Sequence, residues 1–185
     1  MKNLKKVISF ILIFIGVILG AVKIISNKID KYKEDKKIEN YFEYNYKNPE
    51  LVKKNDYYNM VIEIPKINLK KGVSSIESQY NNINYNIEIL KESTMPNTEN
   101  STLILASHSG NSKISYFRNI HKLRINDLIY IYFNNKKYTY KIDKYYELEK
   151  NNTLTINKSN LTLVTCKKNS KYKQLILQAN LLYVF

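Results

Sequence analysis

Apolar side chains after residue 58 recur mostly at every second position, which is the period of a β-strand. Asn134 and Asn135 separate two such runs and predict a hairpin turn. Helical periodicity is limited to short pieces at 74–80 and 113–120. The pattern therefore predicts a mainly β domain, an antiparallel sandwich or barrel of about eight strands. The predicted strands are 59–64, 67–69, 84–90, 101–107, 127–133, 136–148, 161–165 and 174–184.

The N-terminal pattern is different, because the run from Val7 to Val22 contains no charged residue. Extending the run to Ile25 gives a helix of about 28 Å, close to the roughly 30 Å of a bilayer hydrocarbon core. Lys23 can extend its ammonium group to the interface. A cleaved signal peptide is the alternative, but the following residues lack the small-x-small pattern of a cleavage site. We therefore predict an uncleaved membrane anchor.

The segment between the anchor and the β domain is charged, and its apolar residues are spaced roughly as on one helical face. These residues are Ile29, Tyr32, Ile38, Tyr41 and Phe42. The predicted division is a cytoplasmic n-region at 1–6, a transmembrane anchor at 7–25, a juxtamembrane stalk at 26–55 and a folded domain at 56–185. Lysines flank both ends of the anchor, so charge counting alone does not place the domain outside the membrane.

The composition limits the kinds of molecule that the protein is expected to bind. The formal net charge is +14, and only two of the 30 basic residues are arginines, Arg118 and Arg124. This charge is compatible with an anionic lipid surface or an acidic cell wall. A nucleic-acid partner is not predicted, because no dense basic run with interleaved aromatics is present. Four glycines in the whole chain leave no room for a nucleotide-binding glycine loop.

Cys166 is the only cysteine, so the chain cannot form an internal disulfide. It follows the strand run 161–165, and His108 similarly follows the run 101–107. A thiol needs a neighbouring base or cation to become a nucleophile at neutral pH. We therefore expect Cys166 and His108 to meet at one rim of the β domain, whereas His121 lies in a polar connection. No metal or cofactor is predicted, because zinc needs three or four ligands.

These residues resemble a known family. The stretch "LTLVTC" at 161–166 is similar to the T-L-x-T-C signature of the sortases, the cysteine transpeptidases of Gram-positive cell surfaces. "IEIPKINL" at 62–69 resembles their entry strands, and the segment at 103–132 resembles their histidine segment. The resemblance covers about residues 59–184. It implies an eight-stranded sortase-type β-barrel with Cys166 as nucleophile and His108 as acid/base partner.

One position departs from the family pattern. Sortases carry an arginine at the start of the last strand, where this chain has Gln174, preceded by Lys173. In the family this arginine donates to the substrate backbone and to the oxyanion. The resemblance thus implies Gln174, Lys173 and Thr165 as candidates for oxyanion and substrate binding. Strand alternation directs Lys173 to the opposite face from Gln174.

The implied reaction is cleavage of an LPXTG-like sorting signal on a secreted protein, followed by acyl transfer to an amine of a cell-wall precursor or surface protein. Such a reaction requires a single-pass membrane protein with its catalytic domain outside. The short segment at 149–160 favours a class A, D or E enzyme over class B. One alternative is a degenerate, non-catalytic sortase-like binding module, suggested by Gln174. The other is a different cysteine hydrolase, although papain-like enzymes place cysteine before histidine in the chain.

Overall fold

The computed structural model describes residues 2–44, 58–154 and 160–185. One long helix, α1, precedes a β domain that also contains two short 3-10 helices, Pro65–Ile67 and Ile120–Lys122. The helix and strands are α1 Lys2–Phe42, β1 Met60–Ile64, β2 Leu69–Val73, β3 Glu88–Ile89, β4 Thr102–Ala106, β5 Leu128–Phe133, β6 Lys136–Glu149, β7 Asn160–Cys166 and β8 Lys173–Val184.

The eight strands form one sheet in the order β2-β1-β5-β6-β8-β7-β4-β3, which curls into a nearly closed barrel. Every neighbouring pair is antiparallel except β4 and β7, which run parallel. The buried side-chain amide of Asn86 donates to the carbonyl of Gly72, 3.0 Å away, and so links the chain before β3 to edge strand β2. The predicted mainly β, eight-stranded barrel is confirmed.

Two apolar clusters lie on opposite faces of the sheet. The larger fills the barrel interior and includes Tyr138, Tyr140 and Ile142, as their alternation predicts. A smaller cluster covers the other face of β4, β7 and β8. Its buried members are Ile104, Ala106, Val164 and Ile176.

The structure contains the predicted β5–β6 hairpin turn but not the two predicted short helices. Asn134 and Asn135 both have positive φ, 48° and 58°, as a tight two-residue hairpin requires. The expected helices at 74–80 and 113–120 are successive turns instead. Serine hydroxyls compete there with helical hydrogen bonds, as when Ser78 Oγ accepts from the backbone N–H of Tyr80 at 3.1 Å.

Strand β3 is also shorter than the expected run at 84–90. Asparagine side chains take over the backbone groups that a longer strand would have paired. Asn82 Oδ1 accepts from the N–H of Asn84 at 2.8 Å, and Asn86 Oδ1 accepts from the N–H of Ile87 at 2.8 Å. These local bonds keep the chain turning until Glu88.

Helix α1 combines the predicted anchor and the first part of the stalk without a break. Its apolar half is long and apolar enough to cross a membrane, judged by length and composition. The half from Ser26 to Phe42 lies against the barrel. Residues 45–55 of the predicted stalk lie outside the described residues, and so does the predicted domain start at residue 56.

Candidate active site

Three adjacent strands bring the predicted site residues to one end of the sheet. In the antiparallel pair β7–β8, Cys166 lies directly opposite Gln174. In the parallel pair β4–β7, Ala106 lies beside Val164, and the N–H of Ser107 still donates to the Val164 carbonyl at 3.2 Å. Because the two strands run in the same direction, His108 reaches the level of Cys166 just after β4 ends.

Two serine and threonine hydroxyls fasten the histidine segment to the cysteine strand. Thr165 Oγ1 donates to the carbonyl of Ser107 at 2.6 Å, and this bond is buried. Ser109 Oγ donates to the carbonyl of Cys166, also at 2.6 Å. His108 lies between the two serines, so both of its flanks are tied to the end of β7. Sequence reasoning missed Ser109, whose only signal is its position next to the histidine.

The three side chains at this rim are partly accessible. Cys166 is a free thiol and half-buried, and His108 and Gln174 are half-buried as well. The thiol is therefore neither enclosed in the core nor fully solvated. Such partial exposure at a strand end is compatible with a nucleophile and is unusual for a passive core cysteine.

The smaller apolar cluster leads up to Cys166. Val164 belongs to this cluster, and alternation places Cys166 on the same face of β7 two residues later. Leu148 packs against the cluster and is the strand partner of Gln174 on the other side. Cys166 thus lies at the end of a face whose apolar side chains are buried at Val164 and Ile176 and partly exposed at Leu148.

Lys173 lies on the other face of β8. Its ammonium group is 3.6 Å from Glu147, which also pairs with Lys167 at 2.5 Å. The hydrogen bond from Lys167 lowers the pKa of the Glu147 carboxyl. Lys173 is accordingly held in an exposed ion-pair group away from the surface that carries Cys166.

Both arginines brace loops. Arg118 donates from Nε to the Gly110 carbonyl at 2.9 Å and from Nη2 to the Ser112 carbonyl at 2.7 Å. Arg124 Nη1 donates to the carbonyl of His121 at 3.0 Å and also to that of Leu123. The side chain at the family's arginine position, opposite Cys166, is that of Gln174.

The imidazole of His121 lies in the short helix Ile120–Lys122, with Nδ1 3.0 Å from the Arg118 carbonyl. This contact assigns it a local structural role. Among residues 2–44, 58–154 and 160–185, no three His, Cys, Asp or Glu side chains converge in a group that could hold a metal ion.

The sortase-domain family model matches residues 62–182, which include the strand ends and the loop described above. The chain belongs to the sortase family. No curated protein sequence matches this sortase.

Solved sortase structures share the fold. Sortase C1 of Streptococcus agalactiae is 25% identical, with a TM-score of 0.62 over 71% of this chain and 70% of that one. A Clostridium perfringens sortase D5 transpeptidase is 26% identical, with a TM-score of 0.62 over 84% of this chain and 99% of that one. A lid mutant of Corynebacterium diphtheriae sortase A, 18% identical, has a TM-score of 0.63 over 71% and 74% of the two chains and is similar in fold alone.

Proposed function

We propose that this sortase is a cysteine transpeptidase with Cys166 as nucleophile and His108 as general acid and base. The observation that carries the proposal is the attachment of the two residues at one accessible strand end, through the hydrogen bond from Thr165 to Ser107. Family membership supports a transpeptidase role.

In the first step, Sγ of Cys166 attacks the carbonyl carbon of the scissile peptide bond and forms a C–S bond. The C–N bond then breaks, and the protonated imidazole of His108 gives its proton to the departing amine. The products are a thioester on Cys166, a neutral His108 and a released C-terminal fragment.

In the second step, an incoming amine attacks the thioester carbonyl. Neutral His108 takes the proton from this amine, and the C–S bond breaks to return the thiolate. The new amide joins the substrate to the acceptor, and the protonated imidazole is ready for another cycle. No oxidant or external energy source is needed, because one amide bond replaces another.

Gln174 is the oxyanion and substrate donor in this proposal. Its position directly opposite Cys166 on the neighbouring strand supports this role, because a side-chain amide N–H can donate to a developing negative charge. An amide supplies a hydrogen bond without the full charge of a guanidinium, so we expect slower turnover than with arginine. Thr165 acts as a positioning residue, since its hydroxyl already donates to Ser107.

The proposed substrate is a secreted protein with an LPXTG-like sorting signal, bound as an extended peptide. The partly accessible thiol at a strand end supports this, together with partly exposed Leu148 beside Gln174, on which an apolar side chain of such a peptide can pack. The proposed acceptor is an amine of a cell-wall precursor or of a surface protein such as a pilin. The short connection at 150–159 between β6 and β7 favours a class A, D or E enzyme.

The proposed location is the cell membrane, with one span formed by residues 7–25 of α1 and the barrel outside the cell. The apolar half of α1 supports the span. The outward orientation rests on the reaction, because sorting signals of secreted proteins and cell-wall amines are found on that side.

The test uses the full chain in nanodiscs, incubated with LPXTG-like peptides and an excess of an amine such as triglycine. We expect a thioester adduct on the intact protein by mass spectrometry, release of the C-terminal fragment, and a transfer product. Cys166→Ala should abolish the adduct and both products. His108→Gln should lower kcat/KM by about 10²- to 10⁴-fold, the range for loss of a general acid/base.

His121→Gln is the matched control, because His121 is the only other histidine and is bonded to a loop carbonyl. It should retain activity. A folded protein that binds the peptides but forms no adduct, even with a thiol-reactive vinyl sulfone, would contradict the proposal and leave a binding module.

A further inference from the structure

The second half of α1 is packed on the barrel. Ile38 and Tyr41 are buried against Val61 of β1. The Tyr41 hydroxyl also donates to the carbonyl of Tyr132 on β5 at 2.9 Å. An anchor joined to its domain by a free tether would show no such buried contacts, so this half of the helix is part of the folded domain.

Glu34 forms the polar centre of this interface. Its carboxylate accepts from Lys71 Nζ at 2.6 Å, from the Tyr58 hydroxyl at 2.7 Å and from the N–H of Gly72 at 3.3 Å. Lys71 is 8% exposed, and burial lowers the pKa of its ammonium group while Glu34 opposes that change. A helix carboxylate with three barrel donors fixes both the rotation of the helix and its height along the barrel.

Gly72 has a steric reason to be glycine at this interface. An added Cβ would lie 2.1 Å from the ring of Tyr58, which packs directly over the backbone. Glycine therefore lets the Tyr58 ring approach β2 closely enough for its hydroxyl to reach Glu34.

The contact nearest the anchor involves the loop that carries His108. Lys113 Nζ donates to Asp30 Oδ2 at 2.6 Å and to Ser26 Oγ at 3.2 Å. The hydrogen bond from Lys113 lowers the pKa of the Asp30 carboxyl. Lys113 lies only five residues after His108, in the segment 107–119, which we call the histidine loop.

Helix geometry gives the height of these contacts above the membrane. Ser26 is the first residue after the apolar run that ends at Ile25, and at about 1.5 Å per residue Asp30 lies about 8 Å beyond that end for a helix along the bilayer normal. The headgroup region of one leaflet is about 5–8 Å thick. Lys113 bridges these two helix positions, whereas the contact at Tyr41 lies about 24 Å above the end of the run.

We propose that the docked segment Ser26–Phe42, termed the strut, seats the histidine loop in the lipid headgroup layer, with anionic headgroups as its partner. At this level Lys113 neutralises Asp30, and Lys23, Lys28 and Lys31 add positive charge that favours a negatively charged surface. The proposal rests on the membrane anchor proposed above. In this arrangement the reaction takes place at the membrane surface, and the substrate and acceptor have to approach along it.

The experiment measures how deeply the histidine loop lies in the lipid headgroup layer, with one fluorophore attached to one cysteine. Cys166→Ala removes the native thiol, and a new cysteine is introduced at exposed Asn111 in the histidine loop or, as distal control, at exposed Lys136 beside the β5–β6 turn. The full chain carries a fluorophore at that cysteine and is placed in nanodiscs whose lipids have spin-labelled headgroups. We expect several-fold stronger quenching at position 111 than at position 136, and a further increase when phosphatidylglycerol replaces part of the phosphatidylcholine. Equal quenching at the two positions, or no response to phosphatidylglycerol, would overturn the proposal.

Strut variants test the role of Glu34. Glu34→Gln should reduce quenching at position 111, while Glu39→Gln, at an exposed position on the same helix, should leave it unchanged. Unchanged quenching in Glu34→Gln would exclude Glu34 as the residue that sets the depth. Co-flotation of the protein with lipid vesicles separates the two proposals: a protein that does not float refutes the anchor, and one that floats with equal quenching at both labels refutes only the seating of the loop.

Discussion

The hydroxyl of Thr165, the residue before the cysteine, donates a hydrogen bond of 2.6 Å to the carbonyl of Ser107, the residue before the histidine. The two residues are 58 positions apart in the chain, and their bond is buried. It fixes the end of β4 to the end of β7 at the level of His108 and Cys166. Together with the bond from Ser109 to the Cys166 carbonyl, this hydroxyl sets the relative position of the two strand ends that carry the proposed catalytic groups.

Thr165→Val removes this hydroxyl and keeps the shape of the side chain. The Ser107 carbonyl then loses a buried donor, and we expect a loss of about 1–3 kcal/mol in the free energy of unfolding. We also expect kcat to fall by more than KM rises, because His108 is less well placed for proton transfer. Chemical denaturation and steady-state kinetics measure the two effects.

Thr162→Val is the matched control on the same strand. Thr162 is buried, and its hydroxyl has no hydrogen-bond partner among the described residues. Removing it should leave stability unchanged or raise it, and should leave kcat unchanged. An equal loss of kcat in the two valine variants would contradict a specific role for Thr165.

Gln174 and Lys173 make a second pair of variants. Gln174→Ala removes the proposed oxyanion donor, and we expect kcat/KM to fall by about 10²-fold, toward the lower end of measured oxyanion-donor losses. Gln174→Arg restores the family's charge at this strand position, and we expect it to raise kcat/KM above that of the natural sequence. Peptide cleavage at saturating amine provides the measurement.

Lys173→Gln is the control for charge, because Lys173 lies on the opposite face and pairs with Glu147. Its kcat/KM should stay within about twofold of the natural enzyme, as expected for an exposed ion pair. If Lys173→Gln lost activity and Gln174→Ala did not, Lys173 would take over the role proposed for Gln174.

The sequence predicted the barrel well because strands such as β5 alternate clearly and the β5–β6 hairpin carries two asparagines. Tyr138, Tyr140 and Ile142 are an example. Because successive side chains of a strand point to opposite faces, apolar residues at every second position lie on one face and are buried together. The short helices were wrong because helical spacing alone does not register the serine and asparagine side chains that bond to the backbone. These side chains compete with the helical hydrogen bonds of the backbone, and the pattern of apolar positions contains no information about that competition.

The candidate site was only partly predictable. Strand-end positions after apolar runs were enough to predict that Cys166 and His108 lie at the same end of the sheet. The hydrogen bonds made by Thr165, Ser109 and Arg118 could not be predicted from the sequence. Each depends on the conformation of the loop that follows β4. The docking of Glu34 onto β2 was equally hidden, since a charged residue in a charged stalk looks like an ordinary solvated position.

Arg118 gives a prediction about the histidine loop. Its guanidinium group donates to the carbonyls of Gly110 and Ser112, which follow His108. Arg118→Lys keeps the charge but replaces the planar fork with a single ammonium group, so both bonds cannot be kept at their present geometry. We expect faster hydrogen exchange in residues 109–113 and a fall in kcat of about tenfold, for a loss of about 1.4 kcal/mol in positioning.

Arg124→Lys is the comparison for Arg118→Lys. Arg124 also donates to two loop carbonyls, but on the side of the loop that enters β5. Its substitution should change exchange near residue 123 and leave residues 109–113 and kcat as they are. A similar loss of kcat in both lysine variants would mean that general loop stability, and not the brace on the histidine loop, controls turnover.

Burial of tyrosines predicts how stability depends on alkaline pH. Burial raises the pKa of five phenols, those of Tyr58, Tyr116, Tyr138, Tyr140 and Tyr146. In the unfolded chain a tyrosine ionises near pH 10, so above about pH 10 the unfolded state holds fewer protons than the folded state. The contribution of these phenols to the free energy of unfolding should therefore be complete below about pH 10 and should be lost as the pH rises beyond it.

Lys71 acts in the opposite direction, because burial lowers the pKa of its ammonium group. The unfolded state then binds its proton more tightly just below about pH 10.4, so this one group makes stability rise with pH in that window. Below about pH 10 the single ammonium group raises the free energy of unfolding, and above it the five phenols lower it. We therefore expect this free energy to pass through a shallow maximum near about pH 10 and then to fall steeply.

Denaturant unfolding at a series of pH values measures the free energy of unfolding, and phenolate absorbance followed in parallel measures tyrosine ionisation. Tyr140→Phe should make the alkaline loss less steep, whereas Tyr172→Phe, at a ring that is 78% exposed, should not. Phenolate formation by all tyrosines in one step, before any unfolding, would contradict the assignment of the five phenols.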